Sequence, residues 1–287
     1  MTKIPVRHIN PNSKTSGSLG NFKIHDIHVL LDGKDLVQEL HRHDFYLVMA
    51  LQQGAGTHEI DFTRYKISDY SIFILRPGQV HQLQLKKGAT GFLMEFDAGF
   101  YHPKSGTANQ QLRKASHKNF CKPEPVRFEK LLTTLTAVFD EFSEKQDGYQ
   151  DVIKANLGIF FIQYNRQSRS PKAVAKTVGT YAQDRLELLL EMLGTHIADR
   201  KQIAHYANML NLSTYQLNAI TKETVGMPAS KLINEQVILE AKRLLLATPD
   251  QVKSIADHLG YEDISYFIRF FKKQTGYSPE AFRKKFR

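Results

Sequence analysis

The chain of 287 residues is long enough for two domains of ordinary size, each with its own hydrophobic core. Its 39 basic and 29 acidic side chains give a formal net charge of +10 at pH 7, which favours polyanionic partners. A single cysteine, Cys121, excludes an internal disulfide, and the N-terminus lacks the apolar core of a signal peptide. The longest apolar run, LGIFFIQY, is too short to cross a bilayer. We therefore predict a cytoplasmic protein without a membrane partner.

The first half of the chain begins with an arm and continues as short strands. Residues 1–21 include PNSKTSGSLG, which has little to bury, so we expect a mobile arm. From residue 22 to about 97, turn-forming Gly and Pro residues separate the apolar runs FYLVMAL, GAGTHEIDF, YSIFIL, VHQLQL and GFLMEF. In VHQLQL, His81, Leu83 and Leu85 share one face, as in a half-buried strand. Strands of this spacing predict a small β-barrel or sandwich.

Two helices are predicted after a loop that contains His102, Pro103, Pro123 and Pro125. The first carries an apolar stripe at helical spacing, formed by Phe128, Leu131, Leu132, Leu135, Val138, Phe139 and Phe142. The second runs from about Tyr149 to Tyr164. The two helices can pack on the outside of the barrel, and the Phe128 stripe can in addition form a dimer seam.

The second half of the chain is predicted to be all-helical. Residues 165–180 are basic and lack a sustained apolar stripe, so they are interpreted as a linker. Helical periodicity resumes with Leu186, Leu190, Leu193 and Ile197. The fold class is therefore multidomain α+β, with an arm (1–21), a β-barrel domain with flanking helices (22–164), a linker (165–180) and a helical domain (181–287).

The helical domain contains an internal repeat at an offset of about fifty residues. The matched pairs are Ile203 with Val252, Ala207 with Ala256, Leu210 with Leu259, Leu217 with Phe267, Lys222 with Lys272, and Gly226 with Gly276. Each unit has a short helix with an inward alanine, a tight turn, and a second helix that follows Ser213 or Asp263. This is the pattern of a helix-turn-helix.

A single long helix is predicted between the two units. SKLINEQVILEAKRLLLATPD places Ile233, Val237, Ala241, Leu244 and Leu245 on one face, with Pro249 beyond its end. Such a connector would hold the units at a fixed separation. If both second helices enter the major groove, they should lie about 34 Å apart, which is one turn of DNA.

The segment IADHLGYEDISYFIRFFKKQTGYSPEAFR resembles the DNA-binding domain of the AraC/XylS family of bacterial transcription regulators, and the resemblance covers residues 181–287. The family positions present are Ile255, Ala256, Leu259, Gly260, Phe267, Phe270, Lys272, Gly276, Pro279 and Arg283. The first unit departs from the pattern at Ala219, where the family often has a base-reading arginine, and at Thr221, where it usually has an aromatic residue. We therefore expect weaker base readout from the first unit.

Helix geometry predicts which side chains face DNA. With Leu217 and Ile220 in the core, the first recognition helix presents Ser213, Thr214, Tyr215, Gln216, Asn218 and Lys222. With Phe267, Phe270 and Phe271 mostly in the core, the second presents Ile264, Ser265, Tyr266, Ile268 and Arg269. Arg269 is the best candidate for a base contact, since a guanidinium can bond a guanine edge twice. Lys222, Lys272 and Lys273 are expected at phosphates.

The N-terminal segment resembles the cupin-type effector and dimerisation domain of the same family, over residues 22–97. The resemblance depends on the histidine-rich opening, Gly54 with Gly56, and the late PGQVH. His41, His43 and His81 match the histidines of metallocupins, but no glutamate follows His43 in reach, so no metal site is predicted. The favoured role is an effector pocket, with polar contacts from His41, His43, Tyr46, Gln79 and His81. Alternatively, these histidines bond only to the barrel's own loops.

The resemblance implies a cytoplasmic transcription regulator, an activator, that binds double-stranded DNA, a small-molecule effector and RNA polymerase as a homodimer. No phosphate loop or nucleophile elbow occurs in the sequence, and we infer neither catalysis nor a cofactor. Two alternatives stay open. One is a metal-dependent cupin enzyme fused to a DNA-binding module, and the other is a ligand-independent regulator whose barrel only dimerises the chain.

Overall fold

The computed structural model describes residues 4–9, 21–101, 107–167 and 180–286. The chain divides into two compact units, one of residues 5–174 and one of residues 175–287 together with residues 1–4. The first unit is built from two β-sheets with flanking helices, and the second is all-helical. The predicted multidomain α+β class is therefore confirmed.

The first unit contains ten strands and four helices among its described residues. The strands are β1 (Val6–Arg7), β2 (Phe22–Asp26), β3 (Leu36–His43), β4 (Tyr46–Gln53), β5 (Gly56–Ile60), β6 (Thr63–Ile67), β7 (Ser71–Leu75), β8 (Val80–Leu85), β9 (Thr90–Phe96) and β10 (Phe120–Cys121). The helices are α1 (Ile27–Leu31), α2 (Thr107–Ser116), α3 (Pro125–Glu144) and α4 (Tyr149–Gln167). All five apolar runs named from the sequence are strands.

The strands form two five-stranded sheets, in the orders β1-β3-β8-β5-β6 and β10-β7-β4-β9-β2. Their inner faces enclose one apolar core, to which Leu47, Met49 and Leu51 contribute from β4 and Leu83 and Leu85 from β8. Gly56 has φ +141°, and a Cβ there would lie 2.0 Å from the Gln84 carbonyl oxygen. Only glycine lets β5 approach β8 this closely.

The outer face of the second sheet is covered by helices. Phe128, Leu131, Leu135 and Val138 of α3 are fully buried in a second apolar core, together with Phe160 and Phe161 of α4 and strand residues such as Val48. Phe128, Leu131, Leu135 and Val138 are thus packed inside the unit and are not available to a dimer seam, whereas Leu132, Phe139 and Phe142 of the same stripe are half-buried. The helix pair packs on the outside of the barrel, as the sequence predicts.

Several segments differ from the sequence prediction. In the arm, β1 pairs in parallel with β3, opposite Arg42 and His43, and Ile9 is buried in the inner core. Residues 10–20 of the arm lie outside the described residues. The expected loop before α3 contains α2 and β10, while His102 and Pro103 lie outside the described residues. Both β1 and β10 have only two residues, which is too short for a periodic signal.

The second unit consists of helices in its described residues. They are α5 (Thr180–His196), α6 (Ile203–Met209), α7 (Thr214–Val225), α8 (Ala229–Ala247), α9 (Val252–His258), α10 (Ile264–Thr275) and α11 (Pro279–Phe286). The long connecting helix is confirmed as α8, with Ile233, Val237, Ala241, Leu244 and Leu245 all buried. Arg283 of α11 donates its Nε–H to the Leu245 carbonyl at 2.9 Å, which fixes α11 to the end of α8.

Candidate DNA interface and barrel site

Two helix-turn-helix units repeat in the second unit of the structure. Helices α6 and α7 form the first, and α9 and α10 form the second. Each turn has one left-handed residue, Asn211 with φ +54° and Gly260 with φ +67°. A Cβ on Gly260 would lie 2.6 Å from the Ala198 carbonyl oxygen, so the second turn requires glycine. The repeat inferred from sequence therefore extends to matched backbone geometry.

The second helix of each helix-turn-helix unit, α7 in the first and α10 in the second, starts with a side-chain cap. Ser213 Oγ accepts from the Gln216 amide at 3.1 Å, and Gln216 Oε1 accepts from the Ser213 amide at 2.8 Å. In α10, Asp263 Oδ1 accepts from the Ser265 amide at 2.7 Å. These bonds satisfy amides that have no intrahelical partner. Ser213 and Gln216 were predicted to face DNA, and both are exposed but also hold the start of α7.

The inward faces of α7 and α10 follow the prediction. Leu217 and Ile220 are buried, and so are Phe267 and Phe271. Phe270 is only half-buried, at the edge of the core. Thr221 is fully buried in place of the larger ring that Phe271 supplies in the second unit. The first unit thus keeps the fold with a smaller contact at this position.

The outward face of α7 presents Thr214, Tyr215 and Lys222, and the Tyr215 side chain is 82% exposed. Asn218 differs from its predicted position. It is half-buried, and its Oδ1 accepts from the Ala229 amide at 3.0 Å. Because that amide belongs to the first turn of α8, Asn218 joins α7 to α8 and does not face outward.

The outward face of α10 presents Ser265, Tyr266, Arg269, Lys272 and Lys273. The Arg269 guanidinium lies 3.8 Å from the Asp263 carboxylate, with the side chains 70% and 61% exposed. Such an exposed pair contributes little to stability and leaves the guanidinium accessible.

Ile264 and Ile268, the two apolar residues predicted at the DNA groove, are less exposed than their neighbours Ser265 and Arg269. Both are half-buried and line an open cavity of about 490 Å³ together with Val252 and Pro279. Their side chains therefore turn toward α9 and α11.

Four histidines meet on the inner face of the first sheet of the barrel. His41 Nε2 lies 2.9 Å from His43 Nε2, which lies 3.3 Å from His81 Nε2. The Nε2 atom of His58 lies 2.9 Å from Nδ1 of His81. A bulge in β3 between Gln38 and His41 sets the register in which His41 pairs with His81. The structure thus brings together three of the five residues predicted for the effector pocket and adds His58.

Burial keeps these histidines uncharged at neutral pH. Desolvation, followed by neighbouring positive charge from His41, lowers the pKa of both His43 and His58 to about 3. Desolvation also lowers the pKa of His41, and that of His81 lies well below its usual value for the same first cause. The cluster is therefore a set of neutral imidazoles.

A cavity of about 100 Å³ adjoins the cluster. Its lining includes His43, His58 and His81 from the first sheet, Glu95 from β9 of the second sheet, and Arg7 from β1. Burial raises the pKa of Glu95 above its usual value, although Lys23 and Arg7 oppose this shift. The cavity thus joins neutral imidazoles to a carboxyl group and to a residue of the arm.

Tyr46 and Gln79 do not belong to this cavity, which corrects two predicted effector contacts. Tyr46 lies on the outer face of β4, where its ring stacks on Phe96 with centroids 5.1 Å apart. Gln79 donates to Asp61 at 2.8 Å, and its Oε1 accepts from the Arg76 amide at 3.0 Å and from Asn119 at 2.9 Å. Its amide group therefore holds the loops at the corner of the barrel.

A β-barrel followed by two helix-turn-helix units defines a class of protein, the two-domain transcription regulators. Comparison with family models agrees with this class. The AraC-like ligand binding domain matches residues 33–150, and a helix-turn-helix domain matches residues 206–285. With both domains in this order, the chain belongs to the AraC/XylS family.

Several known proteins resemble the chain over most of its length. The transcriptional activator RhaS of Escherichia fergusonii is 24% identical over 255 residues, which cover 85% of this chain and 87% of the relative. RhaS of Pectobacterium atrosepticum is 23% identical over 256 residues, covering 85% and 86%. The crystal structure of ToxT from Vibrio cholerae with bound unsaturated fatty acid is 14% identical, covers 94% of this chain and 96% of that one, and has a TM-score of 0.39.

None of the described helices combines the length and apolar character that a membrane span needs.

Proposed function

We propose that the protein is a sequence-specific transcription activator whose DNA binding is controlled by a ligand in the barrel. The observation that carries this proposal is the duplicated helix-turn-helix, whose two second helices expose polar and basic side chains while their apolar faces are buried. Seven basic residues and one acidic residue occur from Arg269 to Arg287, which favours contact with phosphates. As an activator the protein would also contact RNA polymerase.

The proposed DNA contacts are divided unequally between the units. In α10, Arg269 and Tyr266 would reach base edges, with Lys272 and Lys273 at phosphates. In α7, Tyr215 and Thr214 take the base-facing positions, Lys222 meets phosphate, and Ser213 and Gln216 approach DNA from the capped helix start. Ala219 occupies the position in α7 that corresponds to Arg269 in α10, and its methyl group offers no hydrogen bond. The half-site read by α10 should therefore be the more strongly conserved in bound sequences.

Selection of bound sequences from a random DNA pool tests the proposal. We expect a motif with two half-sites centred about 10 base pairs apart, the better defined one containing guanine. Affinity that depends on salt but not on sequence would contradict specific readout.

The barrel is proposed to sense the ligand through the cavity beside the histidines. His43, His58, His81 and Glu95 supply polar contacts there, and Arg7 brings the arm to the same cavity. A ligand that binds the folded state must raise its stability, so a thermal shift of the whole chain reports occupancy. A ligand that changes DNA affinity must bind differently to the DNA-competent and incompetent states.

The protein is proposed to act as a homodimer through α4. Val152, Ala155, Ile159 and Ile162 are exposed and spaced by three and four residues, which is the spacing of a coiled-coil seam. The three larger side chains are 41%, 47% and 37% exposed. A second copy is the fitting occupant, because a stripe of this kind is self-complementary across a twofold axis.

A further inference from the structure

Three imidazoles of the barrel bring ring nitrogen atoms close together. His41, His43 and His81 are at most 4% exposed, and one ring nitrogen from each lies within 4.8 Å of the other two. Two nitrogens bound to a tetrahedral Zn²⁺ at about 2.0–2.1 Å lie about 3.3 Å apart. The Nε2 atoms of His43 and His81 are separated by 3.3 Å, and those of His41 and His43 by 2.9 Å.

Hydrogen bonds among the three rings cannot pair all of their facing nitrogen atoms. His41 Nδ1 lies 2.6 Å from the Glu39 carbonyl oxygen, which can only accept, so Nδ1 carries the proton and Nε2 presents a lone pair. A ring nitrogen has one proton or one lone pair, so His43 Nε2 forms one linear hydrogen bond and not two. His43 Nδ1 is also buried without a partner. One cation at the meeting point would accept a lone pair from all three rings.

We propose that the barrel binds one divalent transition-metal ion through Nε2 of His41, His43 and His81. Three imidazoles suit Zn²⁺, Co²⁺, Ni²⁺ and Cu²⁺, and they do not require the carboxylate that is missing after His43. The adjoining cavity of about 100 Å³ is small beside the roughly 300–1,000 Å³ of pockets for organic ligands, but it accommodates an ion with bound water. The ion would be the effector of the proposed function. Its binding does not depend on that function, and only its regulatory effect rests on it.

His58 is a positioning residue for this ion. With His81 Nε2 on the metal, His81 Nδ1 carries the proton and donates to His58 Nε2, 2.9 Å away. The Glu39 carbonyl holds His41 in the same way. Partners of this kind fix the ring orientation of metal ligands, and their loss typically weakens metal affinity by about 10–100-fold.

Titration of the full chain with Co²⁺ as a spectroscopic probe tests the site. The protein is prepared without a histidine tag, treated with EDTA and titrated without DNA. We expect one Co²⁺ per chain, visible absorption bands from nitrogen coordination, and displacement by Zn²⁺. Absence of the bands in the wild-type chain would overturn the proposal, and so would equal Co²⁺ binding by His81→Gln.

Matched variants separate ligands from structural histidines. His41→Gln and His81→Gln should lower Co²⁺ affinity by at least about 100-fold, whereas His117→Gln, which removes a histidine outside the cluster, should bind as the wild type does. His58→Leu should weaken binding and shift the bands, and His58→Gln, which keeps an acceptor, should restore both. Equal behaviour of the two His58 variants would overturn the positioning role.

Separate experiments test the ion site and the proposed function, so one can be disproved without the other. The Co²⁺ titration contains no DNA, and the selection of DNA sequences needs no metal. A chain that binds Co²⁺ but lacks sequence preference keeps the ion site and loses the regulatory role. A chain that selects DNA without binding Co²⁺ loses only the ion site.

Discussion

Arg269 and Ala219 occupy matched positions in the two recognition helices, and this pair makes the units unequal. Both are exposed, but only the guanidinium can read a base by hydrogen bonds. We expect Arg269→Ala to lower affinity for the selected site by about 1–3 kcal/mol and to relax preference at one base position. Competition binding on single-base variants of the site measures both effects.

The control for this substitution is Arg64→Ala in β6, because Arg64 is also an exposed arginine, 71% accessible, and belongs to the other unit. It should leave the base preference unchanged. Equal weakening of Arg269→Ala on every sequence would assign Arg269 to phosphate instead.

His117 gives the barrel unit an acid sensitivity. Burial first, then the charges of Arg76 and Arg113, lower its pKa to about 3, and Arg76 Nη1 donates to its Nδ1 at 2.5 Å. The folded state thus excludes a proton that the unfolded chain binds below about pH 6.5. Stability is full above that pH and falls toward pH 3, by about 2 kcal/mol at pH 5.

Unfolding by urea at pH 7.5 and pH 5 checks this expectation. His117→Gln should remove about 2 kcal/mol of the acid loss in the free energy of unfolding. His28→Gln, at an exposed position, should leave the loss unchanged. An unaltered loss in His117→Gln would show that other groups account for it.

At the scale of elements, substitution of Ser213 at the start of α7 distinguishes two roles for this residue, capping of the helix and contact with DNA. Loss of the Ser213 and Gln216 capping box should lower the stability of the helical unit by about 1 kcal/mol. Thermal unfolding of Ser213→Ala measures this loss, and Ser230→Ala, at an exposed position in α8, should stay within about 0.5 kcal/mol of the wild type. An altered base preference in Ser213→Ala would instead indicate a direct contact.

The exposed stripe of α4 predicts the oligomeric state. Ile159→Glu places a charge in the seam and should shift the chain to monomer, because an unpaired charge is costly to bury. Sedimentation at several concentrations measures the shift. Val126→Glu in α3, at a side chain that is 74% exposed, is the control and should leave association unchanged. A dimer that persists in Ile159→Glu would place the interface elsewhere.

At the scale of the whole molecule, α8 connects two DNA-reading units by a continuous helix of 19 residues. A rigid connector does not adapt to a rotated half-site. Insertion of about 5 base pairs, half a turn, between the half-sites should therefore abolish the contribution of α7 and lower affinity at least tenfold. Gel-shift titration on the two spacings tests this prediction, and equal affinity would require a flexible connection.

The elements that could be predicted from the sequence are those with a regular spacing of apolar residues or with a recognisable local motif. Alternating β8, the stripe of α3 and the repeated helices all have strong periodicity, and each is present in the structure. Tyr46 was misplaced because β4 is apolar on both faces, so its pattern does not tell which face points inward. His58 was missed because it reaches His81 through the pairing of β5 with β8, and strand register is not readable from one sequence.

The helix α8 has a further consequence for the history of the domain. Its start corresponds to that of α11 in the repeat, so it completes the first copy of an ancestral three-helix motif while also leading into the second. Both copies therefore share the buried face of α8. Exposed matched positions such as Ala219 and Arg269 can differ without disturbing the apolar core, so one copy can specialise in recognition and the other in anchorage.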